Sequence, residues 1–255
     1  MDDAVRAICG AQRCVVFTGA GASADSGIGT FRGNGGAWSG IVGMLSLAMG
    51  GTPFGWRWFP SLVWSRFVKD FYGPIVGAAP NDGHVALTEL QQGRFRNTMA
   101  VITMNVDGLH QAAGAANVME VHGSVRKFRC MECGKPANPA EPLNSSKQPR
   151  CEQPGCVGRI RPDVTLFTEG LPADEWNRAA NAIEALVPGD VVLVIGTSSV
   201  VYPAASLPER AARRGATLIE FNMELPTPLS KMASIQVPGK AAETLRQCVD
   251  MVLNQ

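Results

Sequence analysis

The chain predicts an α/β protein built on a doubly wound parallel sheet, and three observations carry that expectation. Short apolar runs with β-branched members recur at Cys14–Thr18, Thr98–Thr103, Asp190–Ile195 and Ala216–Phe221, the pattern of strands buried on both faces. Helical patterns alternate with them, as parallel crossovers require. Small or polar residues directly follow several of the runs, where an open α/β sheet places its ligands.

The 255 residues suit one large domain, or a main domain with a smaller module inserted. With 45% hydrophobic residues the chain can bury a sizeable core, and a net charge of +1 gives no electrostatic case for binding nucleic acid. No uninterrupted apolar run is long enough to span a bilayer. Met1-Asp2-Asp3-Ala4 lacks the basic start of a secretion signal, although a trimmed transit peptide stays open. Four of the seven cysteines form two close pairs, which in an intracellular chain favours metal over disulfides.

Residues 3–12 read as a short helix leading into the first strand. That strand ends in Gly19-Ala20-Gly21, and Ser23 is placed to cap a helix just beyond. Strand, glycine turn and helix N-terminus together make an anion site, with diphosphate the obvious guest. On the glycines alone a plain tight turn fits as well, because the third glycine of the usual dinucleotide fingerprint is Ala24. Glycines then flank the apolar stretch Ile41–Met49, the layout of a closing lid or of an ordinary surface loop. Phe54–Val76 gathers Trp56, Trp58, Phe59, Trp64, Phe67, Phe71 and Tyr72, a cluster that reads first as packing. Asn81-Asp82-Gly83-His84 opens an amphipathic run to Gln91, with His84 structural. After the second strand, Asn105 can donate and accept hydrogen bonds; Asp107 can accept an N–H from a ligand or close an Asx turn.

His122 follows another short strand and can accept a proton near neutral pH. Cys130 and Cys133 are separated by two residues, Cys151 and Cys156 by four. Four thiolates on two tight turns fit tetrahedral zinc and leave no position open, so the metal should be structural. It would staple the Pro- and Asn-rich segment Lys135–Arg150, which has little core of its own. Cys9, Cys14 and Cys248 read as buried small hydrophobes. A helix over Ala173–Leu186 precedes the apolar strand that delivers Gly196-Thr197-Ser198, suited to phosphate or ribose. Asn222-Met223-Glu224 follow the next strand. A last short strand at Ile235–Val237 leads through Gly239-Lys240-Ala241 into a C-terminal helix ending near Leu253.

Five motifs in order resemble the signatures of the sirtuins, the NAD-dependent protein deacylases. They are Gly19-Ala20-Gly21 continued through Ser23, Asp25, Ser26-Gly27-Ile28 and Thr30-Phe31-Arg32; Asn105-Val106-Asp107-Gly108-Leu109-His110; His122-Gly123; Arg161-Pro162 through Phe167 and Glu169; and Gly196-Thr197-Ser198-Ser199 through Tyr202-Pro203-Ala204-Ala205. The last most resembles the class III branch. The resemblance implies a Rossmann-like NAD-binding domain (residues 1–123 and 164–255), with a flexible cofactor loop and helical segment at about 33–80. A small inserted zinc-binding module would occupy residues 124–163. NAD and an acyl-lysine protein or peptide would meet in the cleft between them. Free lysine, nicotinamide and O-acyl-ADP-ribose would leave it.

The same resemblance assigns residues. Asn105 and Asp107, with Met104, Val106 and Phe31, would hold the nicotinamide end, and His122 would act as the base. Gly19, Ala20, Gly21, Ser23, Asp25, Thr30 and Arg32 would serve the phosphate side. Gly196, Thr197, Ser198, Asn222, Met223, Glu224 and Ala241 would serve the adenosine side. Val164, Phe167 and Glu169 would line the peptide path by strand addition, with Phe67 and Asp70 toward the acyl group. A monomer is expected, in an intracellular and cytoplasmic setting with nucleus and mitochondrion left open, and with neither nucleic acid nor membrane as partner.

Five departures from the family pattern stand out. Gly29 replaces a proline, and Thr165 and Thr168 replace a valine and a glycine. Met104 replaces a glutamine and offers no comparable hydrogen bond, which predicts slow deacylation. Class III members that remove succinyl or malonyl groups carry a Tyr-x-x-Arg pair where this chain has Phe67 and Asp70. A carboxylate there disfavours an acidic acyl group and predicts a neutral one, and the aromatic cluster suits a longer apolar chain. An ADP-ribosyltransferase or NAD hydrolase on the same fold is the alternative; a non-enzymatic NAD-sensing module is the second.

Overall fold

The computed structural model describes residues 1–29 and 49–255. Thr30, Phe31, Arg32 and most of the expected lid lie outside the described residues. Six parallel strands form the main sheet: β1 (Cys14–Thr18), β2 (Met99–Thr103), β3 (Val118–Glu120), β7 (Val191–Ile195), β8 (Thr217–Asn222) and β9 (Ile235–Pro238). Their order, β3-β2-β1-β7-β8-β9, is the doubly wound 3-2-1-4-5-6 arrangement. Every residue of β1, β2 and β7 is buried, because helices cover both faces.

Alternate side chains of each strand enter alternate cores. Cys14, Val16, Val101, Leu193 and Phe221 pack against α1 (Asp2–Gly10), α5 (Asp82–Gly93) and α9 (Ala241–Leu253). Val15, Phe17, Ile102, Val194 and Leu218 pack against α7 (Ala173–Glu184) and α8 (Ser206–Arg213). Each such buried aliphatic side chain contributes about 1.5–3 kcal/mol. The three other cysteines fit their reading in part: Cys14 and Cys248 are buried, and Cys9 is half-buried against the first core.

Asn81 caps α5. Its Oδ1 accepts from the N–H groups of Gly83 and His84, and His84 Nδ1 accepts in return from the Asn81 N–H. His84 is therefore structural at its Nδ1. The Asn81 amide also donates to Ala22 O and Ser26 Oγ, tying α5 to the loop after β1.

A second, antiparallel sheet has the order β5-β4-β6, from β4 (Gly123–Cys130), β5 (Pro136–Ala137) and β6 (Ile160–Val164). Against it pack α2 (Pro53–Trp58), α3 (Pro60–Arg66), a π-helical turn over Phe67–Tyr72 and α4 (Gly73–Gly77). Phe67 is the centre of this aromatic core, with ring centroids 5.7 Å from Trp64 and Tyr72 and 5.9 Å from Trp56. The Pro- and Asn-rich segment shares in it, as Leu143 is buried there and Trp64 Nε1 donates to Asn144 O at 2.8 Å. Among the described residues no helix is long and apolar enough to cross a membrane. A short four-residue helix, α6 (Leu109–Ala112), follows the loop after β2.

Candidate active site

A cavity of about 1110 Å³ runs along the carboxyl edge of the main sheet and under the aromatic helices. Its wall includes Gly19, Ala20, Gly21 and Asp25 after β1, Met104, Asn105 and Val106 after β2, and His122 just past β3. Gly196, Thr197 and Ser198 follow β7; Asn222, Met223 and Glu224 follow β8; Ala241 opens α9. Phe67, Asp70, Val164, Phe167 and Glu169 line the opposite side. One geometric fact collects the dispersed polar residues, since all parallel strands end on the same edge.

The glycines serve a purpose the sequence did not show. Gly19 N–H donates to Ile195 O, and Gly21 N–H donates to Gly196 O at 2.8 Å. A Cβ on Gly21 would lie 2.8 Å from Gly196 Cα, and one on Gly196 would lie 2.4 Å from the Ala22 nitrogen. Gly196 moreover has φ +57. The loops after β1 and β7 thus press backbone to backbone at the point where strand order reverses, and only hydrogen side chains fit between them. Two N–H groups of the turn, those of Gly21 and Ala22, are already taken by Gly196 O and Gly19 O, so the expected anion cradle is narrower than a bare helix start.

Ser23 is not a cap. Ala20–Ser26 is a 3₁₀ helix whose N-cap is Gly19, and Ser23 lies buried inside it. Its hydroxyl donates to Asp107 Oδ2 at 2.7 Å and accepts from Asn105 Nδ2 at 3.0 Å. Asn105 Nδ2 also donates to Gly19 O, and the Asn105 N–H donates to Thr103 Oγ1. Asp107 closes an Asx turn by accepting from the Leu109 N–H. Ser23 and Asp107 are buried behind the residues that line the cavity, and the Ser23 hydroxyl holds the Asn105 amide. The network continues deeper through Thr18, whose Oγ1 donates to Thr103 Oγ1 at 2.7 Å and accepts from His110 Nε2 at 3.0 Å. Buried threonines at the ends of two adjacent strands were the available signal for it.

His122 lies half-buried on the cavity wall, with Nδ1 3.1 Å from Met104 O. A carbonyl only accepts, so Nδ1 carries the proton and Nε2 is the basic nitrogen of the neutral ring. Burial pulls its pKa below the ordinary 6.5, against a smaller upward push from that hydrogen bond. The His122 carbonyl in turn accepts from the Thr165 N–H at 2.8 Å, joining the end of β3 to the segment after β6.

Glu169 lines the cavity, but its carboxylate is committed to the protein. Buried Arg161 donates to both its oxygens at 2.6 and 2.8 Å, and the Leu166 N–H adds a third bond. It braces the 164–169 loop, on which the Phe167 ring is exposed. Thr168 holds φ +78, a left-handed conformation that glycine adopts without strain. Asp70 is exposed at the cavity's rim, and Arg66 lines the same wall.

The four cysteine sulfurs lie within 4.8 Å of one another. Cys130 and Cys156 are 3.6 Å apart, Cys133 and Cys151 3.8 Å. Tetrahedral Zn–S bonds imply sulfur separations of about 3.8 Å, so the cluster fits a structural zinc and excludes disulfides between these sulfurs.

Fold and site together define an α/β protein with a cavity at the switch point of its parallel sheet and a four-cysteine module beside it. The chain belongs to the Sir2 family, whose model matches residues 19–203. It is 42% identical to the NAD-dependent protein deacylase 2 of Pyrobaculum aerophilum, covering 96% of this chain and 93% of the relative. A variant Sir2 homologue solved with ADP-ribose is 34% identical and superposes with a TM-score of 0.90, over 100% of this chain and 97% of that one. A Sir2 complex with a p53 peptide and NAD+ is 32% identical, with a TM-score of 0.83 over 98% and 97%.

Proposed function

We propose that this protein is an NAD-dependent protein-lysine deacylase, transferring the acyl group of an acyl-lysine peptide onto ADP-ribose and releasing free lysine and nicotinamide. The observation that carries the reading is the pairing of His122 with Met104 O, which leaves Nε2 as a base on the cavity wall near Asn105.

When bound, NAD supplies the ribose carbon from which nicotinamide leaves and the hydroxyl that takes the acyl group. Gly196, Thr197, Ser198, Asn222, Met223, Glu224 and Ala241 would hold its adenosine side, and Gly19, Ala20, Gly21 and Asp25 its diphosphate. Asn105, held by Gly19 O and Ser23, is preorganised toward the nicotinamide end with Met104 and Val106. Asp107 supports it from behind. His122 Nε2 is set to take a proton from a hydroxyl placed against it. The segment Val164–Phe167 offers a backbone edge to an extended peptide. Trp56, Val63, Phe67 and Phe71 make an apolar wall for the acyl chain. Asp70 puts a carboxylate on that wall that repels an acidic acyl group, so a neutral acyl group is favoured over succinyl. Residues 124–163 form the zinc module.

The test incubates the protein with NAD and acetyl-, myristoyl- and succinyl-lysine peptides and follows products by mass spectrometry. Deacylated peptide and O-acyl-ADP-ribose are expected with the neutral acyl groups, and both vanish in His122→Ala. Neither product forming, while ADP-ribose binds, would overturn the deacylase. Equal rates on succinyl-lysine would overturn the acyl preference.

A further inference from the structure

Among the described residues, Glu220 is the one charged side chain on the four inner strands of the main sheet, and its surroundings are unusual. On β8 it shares a face with Leu218, which packs in the apolar core under α7 and α8, and it is 0% exposed. An apolar residue is the ordinary occupant of such a position, because an unpaired buried carboxylate is costly. Among the described residues no ion pair reaches it. Its partners are two hydroxyls: Thr227 Oγ1 donates to Oε1, and Ser230 Oγ donates to Oε2 at 2.6 Å.

Those two hydroxyls also organise the turn that carries them. Thr227 Oγ1 accepts from the Leu229 N–H at 3.2 Å, and Ser230 Oγ accepts from the Thr227 N–H at 2.9 Å. Each hydroxyl has a single proton, and both protons point at Glu220. The two carboxylate oxygens therefore fix both hydroxyls with their lone pairs turned toward backbone N–H groups. Gln236, paired with Glu220 across β8 and β9, adds a bond from Nε2 to Ser230 O. This turn closes a segment in which Asn222, Met223, Glu224, Pro226, Thr227 and Pro228 line the cavity.

We infer that Glu220 is a positioning residue for dinucleotide binding: it touches no ligand and sets the 222–228 segment against the adenosine half of NAD. The inference rests on the reading of the cavity as an NAD site. Its test uses the full-length protein with ADP-ribose as calorimetric probe, together with steady-state kinetics. Glu220→Leu substitutes an apolar side chain and removes both acceptors; Glu220→Gln keeps one acceptor and supplies a donor to the second hydroxyl. For Glu220→Leu the Kd for ADP-ribose and the KM for NAD should rise about tenfold, given bonds of this charged kind. The kcat and the KM for peptide should stay within about twofold, and Glu220→Gln should recover most of the affinity. A Glu220→Leu protein that folds and binds ADP-ribose like wild type would overturn the inference, as would an equal fall in kcat with both KM values unchanged. Thr227→Val with Ser230→Ala should reproduce the Glu220→Leu result, and wild-type affinity in that double variant would also overturn it. Wild-type protein that binds no ADP-ribose would overturn the site reading and this inference with it.

Discussion

The Nδ1 of His122 is held by the backbone carbonyl of Met104, at 3.1 Å, and not by the Met104 side chain. The tautomer of the base is thus insulated from the identity of residue 104. Met104→Gln should raise deacylation about ten- to a hundredfold by restoring one hydrogen bond to the nicotinamide ribose. The acid limb of the pH profile should not move. Because burial holds the His122 pKa below 6.5, kcat/KM should rise with pH to a plateau already reached near neutrality. A midpoint above 6.5 would contradict the buried, neutral imidazole.

Gly196→Ala should damage structure and binding together. Its Cβ would enter the Ala22 nitrogen at 2.4 Å from a backbone at φ +57. Strain of this kind costs about 1–3 kcal/mol, and ADP-ribose affinity should fall in the same variant. Thermal melting and calorimetry check both.

Thr168→Gly should act in the opposite direction. A β-branched residue at φ +78 is strained, and glycine removes the strain at a cost of some chain entropy. A gain of about 1 kcal/mol in urea denaturation is expected, with a changed KM for peptide because the residue lines the cavity.

Removal of the metal should unfold the small sheet before the large one. Cys133→Ser leaves three thiolates, and structural zinc sites contribute about 10–16 kcal/mol to folding. Hydrogen exchange should show β4 and β6 unprotected while β1 and β7 stay protected. Loss of Trp64 fluorescence should accompany it, since Trp64 packs with Phe128, Leu143 and Ile160.

Two buried imidazoles make stability depend on pH. The rings of His84 and His110 meet edge to face at 4.8 Å, and His84 Nε2 and His110 Nδ1 have no partner among the described residues. Burial pushes His110 down to about 3 and His84 below 6.5 as well. The unfolded chain takes up protons near pH 6.5 and the native state resists, so stability is full above 6.5 and falls as pH drops toward 3. The slope is up to about 1.4 kcal/mol per pH unit for each histidine. Denaturation at pH 7 and pH 4.5 should show this, with a shallower slope for His110→Gln.

Much of this molecule could be read from local pattern. The runs Cys14–Thr18 and Asp190–Ile195 announced buried parallel strands, and the observed strands differ by a residue or two at the ends. The cysteine spacings placed four sulfurs that do cluster. Gly19, Asn105, His122, Gly196 and Asn222 all reach one cavity, as residues following parallel strands must.

The sequence by itself determined which elements form and which edge of the sheet holds the chemistry, because periodicity and turn residues act over a few positions. Only the tertiary structure decided which partners Ser23, Asp107, Glu169 and Glu220 meet. Ser23 meets Asp107 across 84 residues of chain, and Arg161 meets Glu169 over a turn that only the second sheet creates. A hydroxyl or carboxylate reads the same in sequence whether it faces a ligand or a protein partner. Which of the two it faces is settled by the packing of distant strands, where burial leaves a polar atom no alternative but the partner brought beside it.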